Sequence, residues 1–317
     1  MEVGYTLSSE EHGSAALVAQ ARRAEEAGMA FASISDHFHP WIERQGESPF
    51  VWTVLGAVSQ ATERLRLMTG VTCPTMRMHP AIVAQAAATA AALLPGRFAL
   101  GVGSGELLNE HVVGERWPAV AERQERLEEA VGVIRRLWDG GTVSHRGRHF
   151  RVDRARLYSL PPQPPPLLVA VAGPRSVELA GRCADGIVGT SPIADSVRRF
   201  RDAAGEAAPA YGQLHVCWAE DEAAARRTAT EWWPNAALRG TAFLELPLPA
   251  HFEAALETVR EEDVAAAVVC GPDPERHESA IREFLDAGYD HVYLHQVGPD
   301  QEGFFRFWEC ELRPRLA

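Results

Sequence analysis

Acid and imidazole groups are concentrated in the stretch SDHFHPW, residues 35–41, which directly follows the apolar run 31–34. Three kinds of site fit this composition. His37 and His39 form a His-x-His pair that could hold a metal ion. Alternatively, Asp36 could orient His37 as an acid–base group beside a cofactor. The segment could also be a polar strand end in which the acid caps a helix and the aromatic rings only pack.

Short apolar runs alternate along the chain with longer runs rich in Ala, Leu, Arg and Glu. The apolar runs predict buried strands at 2–7, 31–35, 65–71, 98–102, 167–172, 187–190, 213–218 and 291–296, with a further short run at 268–271. The longer runs predict helices at 14–28, 49–62, 80–94, 119–139, 176–184, 195–208, 221–233 and 274–288, and a final helix near the C-terminus. Ser14 is the expected cap of the first helix, and Gly28 is expected to close it. Eight strands, each followed by a helix, predict an α/β fold of the (β/α)8 TIM-barrel type.

A doubly wound parallel sheet is the alternative α/β arrangement. It is disfavoured because the first strand-to-helix turn, TLSSEEHGS, lacks the Gly-x-Gly-x-x-Gly turn that binds dinucleotide phosphates. The glycine-rich GVGSGE at 101–106 comes only after the fourth strand and is not followed directly by a long helix. We therefore expect a single barrel domain over residues 1–317. A hairpin and proline-rich insertion is expected near 140–166, and an irregular insertion near 234–262.

Charge and composition disfavour several classes of partner. The formal net charge of −12 disfavours binding to nucleic acid or to an anionic membrane surface. No apolar stretch approaches the length of a membrane span, no signal peptide is visible, and the five cysteines show no Cys-x-x-Cys spacing. We therefore expect a cytoplasmic protein with reduced thiols and a small-molecule substrate. The chain contains no lysine, so any anion must be bound by Arg, backbone N–H groups or helix N-termini.

The carboxyl ends of barrel strands meet at one mouth, where barrel enzymes carry their active sites. In chain order, these ends carry Ser8 and Glu10, Asp36 and His37, Gly70 and Val71, residues 103–106, Ala172 and Gly173, Thr190 and Ser191, Trp218 and Glu220, and His295 and Gln296. The fifth and sixth ends offer no His, Asp or Cys to complete a metal shell, so we predict no metal site. An acid–base site fits better, with His37 beside Asp36 and Glu106 as a second proton-handling group. Glycines recur at these ends, where a flat ligand could approach the backbone closely.

Four motifs carry a resemblance that runs in order through nearly the whole chain. They are SDHFHPW, GVGSGELLNE after the fourth strand, AGP after the fifth and ADGIVGTS at the sixth. These motifs resemble those of the coenzyme F420-dependent oxidoreductases of the bacterial luciferase-like superfamily, among them enzymes like F420-dependent glucose-6-phosphate dehydrogenase. The resemblance implies a luciferase-like barrel with insertions, usually a homodimer, that binds the deazaflavin coenzyme F420 at the carboxyl mouth.

The resemblance also implies roles for individual residues. His37 would be the base that deprotonates a substrate hydroxyl, Glu10 an acid that assists it, and Glu106 the proton donor to the cofactor. Trp41 would shape the space between the cofactor ring and the substrate. The residues that match cofactor-contacting positions are Asp36, Gly70, Val71, Cys73, Ser104, Gly105, Asn109, Val171, Ala172, Gly173 and Thr190. A neutral imidazole near pH 7 suits this chemistry, because an alcohol that gives up a hydride must also lose a proton.

Departures from the family pattern bear on the substrate. Sugar-phosphate enzymes of this group hold the phosphate with lysines, one of them just after the sixth-strand TS, where this chain has Ile193. Arg198, Arg199 or Arg239 could compensate, but glucose-6-phosphate is not the expected substrate. Gly70 stands where Ser is more usual. The second insertion carries an apolar set that could roof a more hydrophobic substrate, or form an interface or core: Trp232, Trp233, Phe243, Leu244, Leu246 and Leu248.

The sequence leaves the identity of the cofactor open. The resemblance extends to relatives that use an ordinary flavin such as FMN, whose tricyclic ring has the same shape, so strand-end glycines do not separate the two. With FMN, the chain would be a luciferase-like oxidoreductase or monooxygenase, since a deazaflavin carries hydride but reacts poorly with oxygen. A metal-dependent barrel hydrolase, or a cofactor-binding protein without turnover, is the remaining alternative.

Overall fold

Eight parallel strands close into a barrel in the computed structural model, which describes residues 1–316. The strands of the chain are β1 (Glu2–Leu7), β2 (Phe31–Ile34), β3 (Arg66–Thr69), β4 (Phe98–Val102), β5 (Val143–Arg146), β6 (Arg151–Ala155), β7 (Leu167–Ala170), β8 (Gly186–Gly189), β9 (Ala210–Cys217), β10 (Val269–Cys270) and β11 (His291–Gln296). The helices are α1 (Ser14–Glu26), α2 (Val51–Ala61), α3 (Pro80–Leu93), α4 (Leu107–Glu110), α5 (Val120–Trp138), α6 (Pro174–Cys183), α7 (Ala194–Ala204), α8 (Glu222–Trp232), α9 (Pro249–Leu256), α10 (Glu261–Ala265), α11 (Pro274–Asp286), α12 (Gln301–Phe307) and α13 (Arg313–Leu316).

The barrel closes in the order β1-β2-β3-β4-β7-β8-β9-β11, with β11 returning to β1. Each neighbouring pair in this ring is parallel. The short strand β10 lies outside the ring and pairs with Val216 and Cys217, beyond the part of β9 that pairs with β8. The luciferase-like TIM-barrel class predicted from the alternation of strands and helices is confirmed.

Apolar side chains fill two layers because successive residues of a strand point to opposite faces. One cluster takes a residue from each of five different strands and fills the interior of the barrel: Phe31, Met68, Leu168, Val188 and Tyr293. Strand residues on the other face, such as Ile34 and Leu67, pack with residues of the surrounding helices in a larger cluster. The carboxyl ends of the strands, above the inner cluster, are left for polar groups.

The ends of several elements differ from the sequence prediction. The residue that precedes α1 is Gly13, without a side-chain cap, and Ser14 is already helical, so the cap predicted at Ser14 is wrong. Gly28 does close this helix, with φ +78°, a backbone conformation that costs glycine little. The strand predicted at 65–71 ends at Thr69, because the chain leaves the ladder where polar and glycine residues of the mouth begin.

Two segments interrupt the barrel pattern where the sequence predicts insertions. The first contains the antiparallel hairpin of β5 and β6. The second, near 234–262, contains 3-10 turns at Pro234–Ala237 and Ala242–Glu245 and the helix α9. No helix within residues 1–316 is both long and apolar enough to cross a membrane.

Candidate active site

His37 lies just after β2, at the mouth of the barrel, with its ring between two carboxylates. Its Nδ1 is 3.1 Å from the carbonyl oxygen of His39. Since a carbonyl only accepts hydrogen bonds, Nδ1 carries a proton, and Nε2 keeps its lone pair in the neutral ring. Nε2 lies 3.4 Å from Glu10 Oε1 and 3.3 Å from Glu106 Oε1. A proton that arrives at Nε2 is stabilised by both carboxyl groups, which suits a general base.

The two carboxyl groups beside His37 have different surroundings. Glu10 Oε2 accepts a hydrogen bond from Ser35 Oγ at 2.5 Å. Burial by itself would raise the pKa of Glu10, but the charge of His37 and the Ser35 hydroxyl hold this pKa below its usual value. At Glu106, burial raises the pKa more than His37 and Asn109 lower it. Glu10 is therefore the anionic partner of the imidazole, and Glu106 is the carboxyl that carries a proton more readily.

Asn109 connects the histidine loop to the glycine-rich turn after β4. Its Oδ1 accepts hydrogen bonds from the backbone N–H groups of Phe38 at 2.7 Å and His39 at 3.1 Å. Its Nδ2 donates to Glu106 Oε1 at 2.9 Å. One buried amide thus positions both the loop that carries His37 and the carboxyl group that faces it.

His39 does not line the cavity. Its Nδ1 contacts the carbonyl oxygen of Leu108 at 2.8 Å, and its ring stacks on His111 at 5.5 Å. Within residues 1–316, no three His, Cys, Asp or Glu side chains form a group that could hold a metal ion.

Asp36 belongs to a separate buried network rather than to the imidazole of His37. Its carboxylate accepts hydrogen bonds from Thr72 Oγ1 at 2.7 Å and from Arg77 Nη2 at 2.8 Å. The contacts that orient His37 come instead from His39 and Glu10. The Asp36–Arg77 pair therefore fixes the loop after β3 against the end of β2.

Glu110, at the end of α4, completes this network. It accepts the backbone N–H of Arg77 at 2.8 Å, and its carboxylate lies 3.7 Å from Arg77 Nε. Burial raises the pKa of Glu110 to about 7 and outweighs the lowering by Arg77, whose guanidinium also serves Asp36. A carboxyl group that titrates near neutral pH thus lies one helical turn from Glu106.

Because the strand ends carry glycines, the wall of the barrel mouth consists there of backbone without side chains. A Cβ on Gly103 would lie 2.8 Å from Val71 Cγ2, and Gly105 has φ +84°. A Cβ on Gly173 would meet no atom within 4 Å, so a side chain there would project into open space. The peptide bond between Gly70 and Val71 is cis. This wall lets a flat ligand approach the backbone closely.

The mouth opens into a cavity of about 1400 Å³. This volume exceeds the range of roughly 300–1,000 Å³ that is usual for sites of drug-sized ligands, so a large cofactor and a substrate fit together. The structure brings every residue to which the family resemblance assigns a role to the lining of this cavity: Glu10, Asp36, His37, Trp41, Gly70, Val71, Cys73, Ser104, Gly105, Glu106, Asn109, Val171, Ala172, Gly173 and Thr190. Trp218, Glu220 and Gln296, which the sequence places at strand ends on the mouth, do not line it.

Aromatic residues cover part of the cavity. The ring of Trp41 lies 4.9 Å from that of His37, 5.2 Å from that of Phe252 and 6.4 Å from that of Phe243. Of the apolar set singled out in the second insertion, Trp233, Phe243 and Leu244 line the cavity. Trp232 lies under the guanidinium of Arg44, Leu246 packs beside Phe252, and Leu248 is exposed. Part of the set therefore roofs the site, and the remainder does not.

A second imidazole cluster lies in the same cavity; the sequence places His295 at a strand end on the mouth without a role, and it does not identify His215 or Glu11. His295 Nε2 is 2.6 Å from Glu11 Oε2, and His295 Nδ1 is 2.8 Å from His215 Nδ1. Both histidines line the cavity. The signal for this cluster was the repeated Leu-His pair near the ends of two strands, which the barrel places opposite each other in β9 and β11.

Comparison with known proteins gives the chain a family. Residues 1–291 match the model of the luciferase-like monooxygenase family. Over 324 residues the chain is 39% identical to the F420-dependent hydroxymycolic acid dehydrogenase of Mycobacterium tuberculosis, covering 99% of this chain and 88% of that protein. It is 36% identical to the F420-dependent glucose-6-phosphate dehydrogenase of Nakamurella multipartita, covering 99% and 96% of the two chains.

A solved structure shows the same architecture along the full chain. It is an F420-dependent secondary alcohol dehydrogenase in complex with an F420–acetone adduct, at 30% identity and a TM-score of 0.92, with 100% of this chain and 99% of that chain covered. Together with the family match and the two relatives, this similarity extends over the barrel and both insertions. The chain belongs to the luciferase-like monooxygenase family and is an oxidoreductase.

Proposed function

We propose that the protein is a coenzyme F420-dependent dehydrogenase that oxidises an alcohol to a carbonyl compound, with His37 as the general base. The observation that carries this proposal is the position of His37 Nε2, which faces a cavity between Glu10 and Glu106. The names of the relatives, all F420-dependent dehydrogenases, support the same chemistry.

The residues of the cavity fit a flat cofactor. The main chain at Gly70, Val71, 103–105, Ala172 and Gly173 would lie against the ring, and the open space beside Gly173 is room that a side chain would remove. Arginines also line the cavity, and they would suit the acidic tail of coenzyme F420: Arg175, Arg239 and Arg276. When bound, coenzyme F420 would supply the atom that accepts the hydride of the alcohol.

The protein residues handle the proton of the reaction. His37 Nε2 would take the proton of the substrate hydroxyl, and the anionic Glu10 would stabilise the imidazolium that results. Glu106, whose pKa is raised by burial, lies close enough to Nε2 to exchange a proton with it. Trp41 packs against His37 and would help to keep water from this side of the cavity when the substrate is bound.

Of the three arginines that could compensate for the missing lysine, only Arg239 lines the cavity. Ile193 is exposed. Arg198 pairs with Asp195, and Arg199 pairs with Glu178 on the outer surface, whereas Arg239 lines the cavity. We assign the cavity arginines Arg175, Arg239 and Arg276 to the acidic tail of the cofactor, and the aromatic cover beside His37 then favours an uncharged alcohol over a sugar phosphate as substrate.

The proposal is tested by titrating the purified protein with F420 and, separately, with FMN while the cofactor spectrum is recorded. Tight binding of F420, followed by its reduction on addition of secondary alcohols such as cyclohexanol, is the expected result. Tight binding of FMN alone would overturn the proposal in favour of a flavin-dependent oxidoreductase or monooxygenase.

A further inference from the structure

The second histidine cluster forms a continuous chain from a buried carboxylate to the cavity. Glu11 accepts hydrogen bonds from the backbone N–H of Gly298 at 2.9 Å and from His295 Nε2 at 2.6 Å. His295 in turn meets His215, Nδ1 to Nδ1, at 2.8 Å. Glu11 and His295 have almost no exposed side-chain area, whereas His215 is half-buried on the cavity wall. The chain of contacts therefore ends at His215, whose Nδ1 meets His295 and whose Nε2 forms no hydrogen bond within residues 1–316.

This polar end lies in the same part of the cavity as the reacting groups. Trp41, which packs on His37, belongs to the same apolar cluster as Trp233. The ring of Trp233 lies 4.3 Å from His295 and 5.7 Å from His215. Glu10 is also close enough to His295 for the charge of that imidazole to lower the pKa of Glu10. His37 and His215 thus both line the cavity, each beside a tryptophan that belongs to one apolar cluster.

We propose that His215 is a second polar anchor for the substrate, and that the substrate is an uncharged alcohol with a further hydroxyl group away from the carbon that is oxidised. This inference rests on the proposed function and names its substrate class. Because Nε2 of His215 forms no hydrogen bond within residues 1–316, the second hydroxyl of the substrate can supply its partner.

The chemistry of the chain selects a hydroxyl over an anion. When Glu11 is ionised and His295 is neutral, each imidazole donates towards Glu11, and His215 Nε2 is an acceptor. When His295 carries an extra proton, the chain reverses, and His215 Nε2 becomes a donor. A hydroxyl both donates and accepts, so it satisfies either state, whereas a carboxylate or phosphate only accepts.

The lowered pKa of His215 also favours an uncharged ligand. Burial and the neighbouring His295 lower the pKa of His215 to about 3, so this imidazole is neutral at physiological pH. It offers no positive charge with which to hold a carboxylate or a phosphate. A neutral imidazole instead forms a hydrogen bond with an uncharged hydroxyl group.

The substrate experiment compares cyclohexanol with the isomeric cyclohexanediols, using the F420-loaded protein. At least one diol should show a kcat/KM about tenfold above that of cyclohexanol, the value of one uncharged hydrogen bond. His215→Leu should remove this preference through KM and leave cyclohexanol within about threefold of the wild type. His215→Gln, which keeps a hydrogen-bonding group, should retain part of the preference. His145→Gln, in the β5–β6 hairpin outside the cavity, is the matched control and should leave kcat/KM unchanged for both substrates.

The role of His215 as an anchor would be overturned if His215→Leu lowered kcat/KM equally for the diol and for cyclohexanol. It would also be overturned if the wild type showed no higher kcat/KM for any diol. A binding measurement separates this failure from failure of the proposed function. In the cofactor-free protein with ¹⁵N-labelled histidine, a cyclohexanediol should shift the ring-nitrogen resonances of His215, and cyclohexanol should not. If no alcohol reduces F420, the proposed function fails, and the resonance shift still decides whether His215 binds a hydroxyl. If no diol shifts these resonances, the anchor fails.

Discussion

Glu10 and Glu11 are consecutive in the chain, yet their carboxylates contact different histidines on the two sides of β1. Glu10 lies 3.4 Å from His37, which follows β2, and Glu11 lies 2.6 Å from His295, which belongs to β11. These strands are the two neighbours of β1 in the barrel. The end of one strand thus places two imidazoles around the same cavity.

Replacement of His37 by Ala should abolish most turnover while the affinity for the cofactor stays near that of the wild type. The physical reason is that Nε2 takes a proton and does not hold the cofactor, and a general base contributes about 100- to 10,000-fold to the rate. Steady-state kinetics and a cofactor titration measure the two quantities. If turnover and cofactor affinity were lost together, His37 would be a structural residue or a residue that stacks on the ring.

Replacement of Asn109 by Asp should shift the pH dependence of turnover. The variant keeps the oxygen that accepts the N–H groups of Phe38 and His39, but it loses the donor to Glu106 and adds a negative charge beside it. Both changes raise the pKa of Glu106 further, so the limb of the pH–rate profile that belongs to Glu106 should move to higher pH. A profile that coincides with the wild type would show that Glu106 does not take part in the rate-limiting proton transfer.

Replacement of Gly173 by Ala should weaken cofactor binding without weakening the fold. Gly173 has an extended backbone, φ −174°, that alanine also adopts, and the added Cβ would touch no protein atom. The methyl group would instead occupy space in the cavity. The affinity for F420 should fall by about tenfold with an unchanged melting temperature, as measured by titration and calorimetry.

Gly132→Ala is the control for this variant. Gly132 lies within α5, outside the cavity, and a Cβ there also meets no atom within 4 Å. Its cofactor affinity should equal that of the wild type. An unchanged affinity in Gly173→Ala as well would place the cofactor elsewhere in the cavity.

Glu110 should make the protein less stable as the pH rises from about 4.5 to about 7. In this range the folded protein still holds a proton on Glu110, because its pKa is raised to about 7, whereas the unfolded chain has released it. Since the folded state binds more protons, the free energy of unfolding falls with rising pH, by an amount on the order of 3 kcal/mol, and then levels off.

Glu110→Gln tests this assignment, because the amide keeps an acceptor for the backbone N–H of Arg77 and does not titrate. Urea denaturation at about pH 5 and about pH 8 should show a smaller stability difference in the variant than in the wild type. An equal difference in both proteins would mean that another group causes the pH dependence.

The barrel fold, and the residues that lie together at its mouth, could be predicted from the sequence. Both depend on the order of short segments along the chain. A strand that ends in polar or glycine residues places them at the mouth, so His37, Glu106 and Gly173 could be assigned to one site before the structure was known. The homodimer stays a prediction.

The pairing of atoms within the site could not be predicted, because it depends on how distant segments pack. Asp36 stands next to His37 in the chain, but successive side chains diverge, and its partner is Arg77 on the following loop. The link from Glu11 to His295 joins the first and the last strand of the barrel, which are far apart in the chain, and no local pattern reports it.

The wall and the roof of the cavity differ in how readily substitutions can alter them. The wall around Gly103 and Gly173 consists largely of main chain, which a point mutation cannot remove, whereas the roof includes side chains such as Phe243 and Leu244 on an irregular segment. Exchange of roof residues changes the shape offered to a substrate and leaves the wall intact. New substrate preferences can therefore arise in this scaffold by drift in one surface loop, without any change in the elements that fold the barrel.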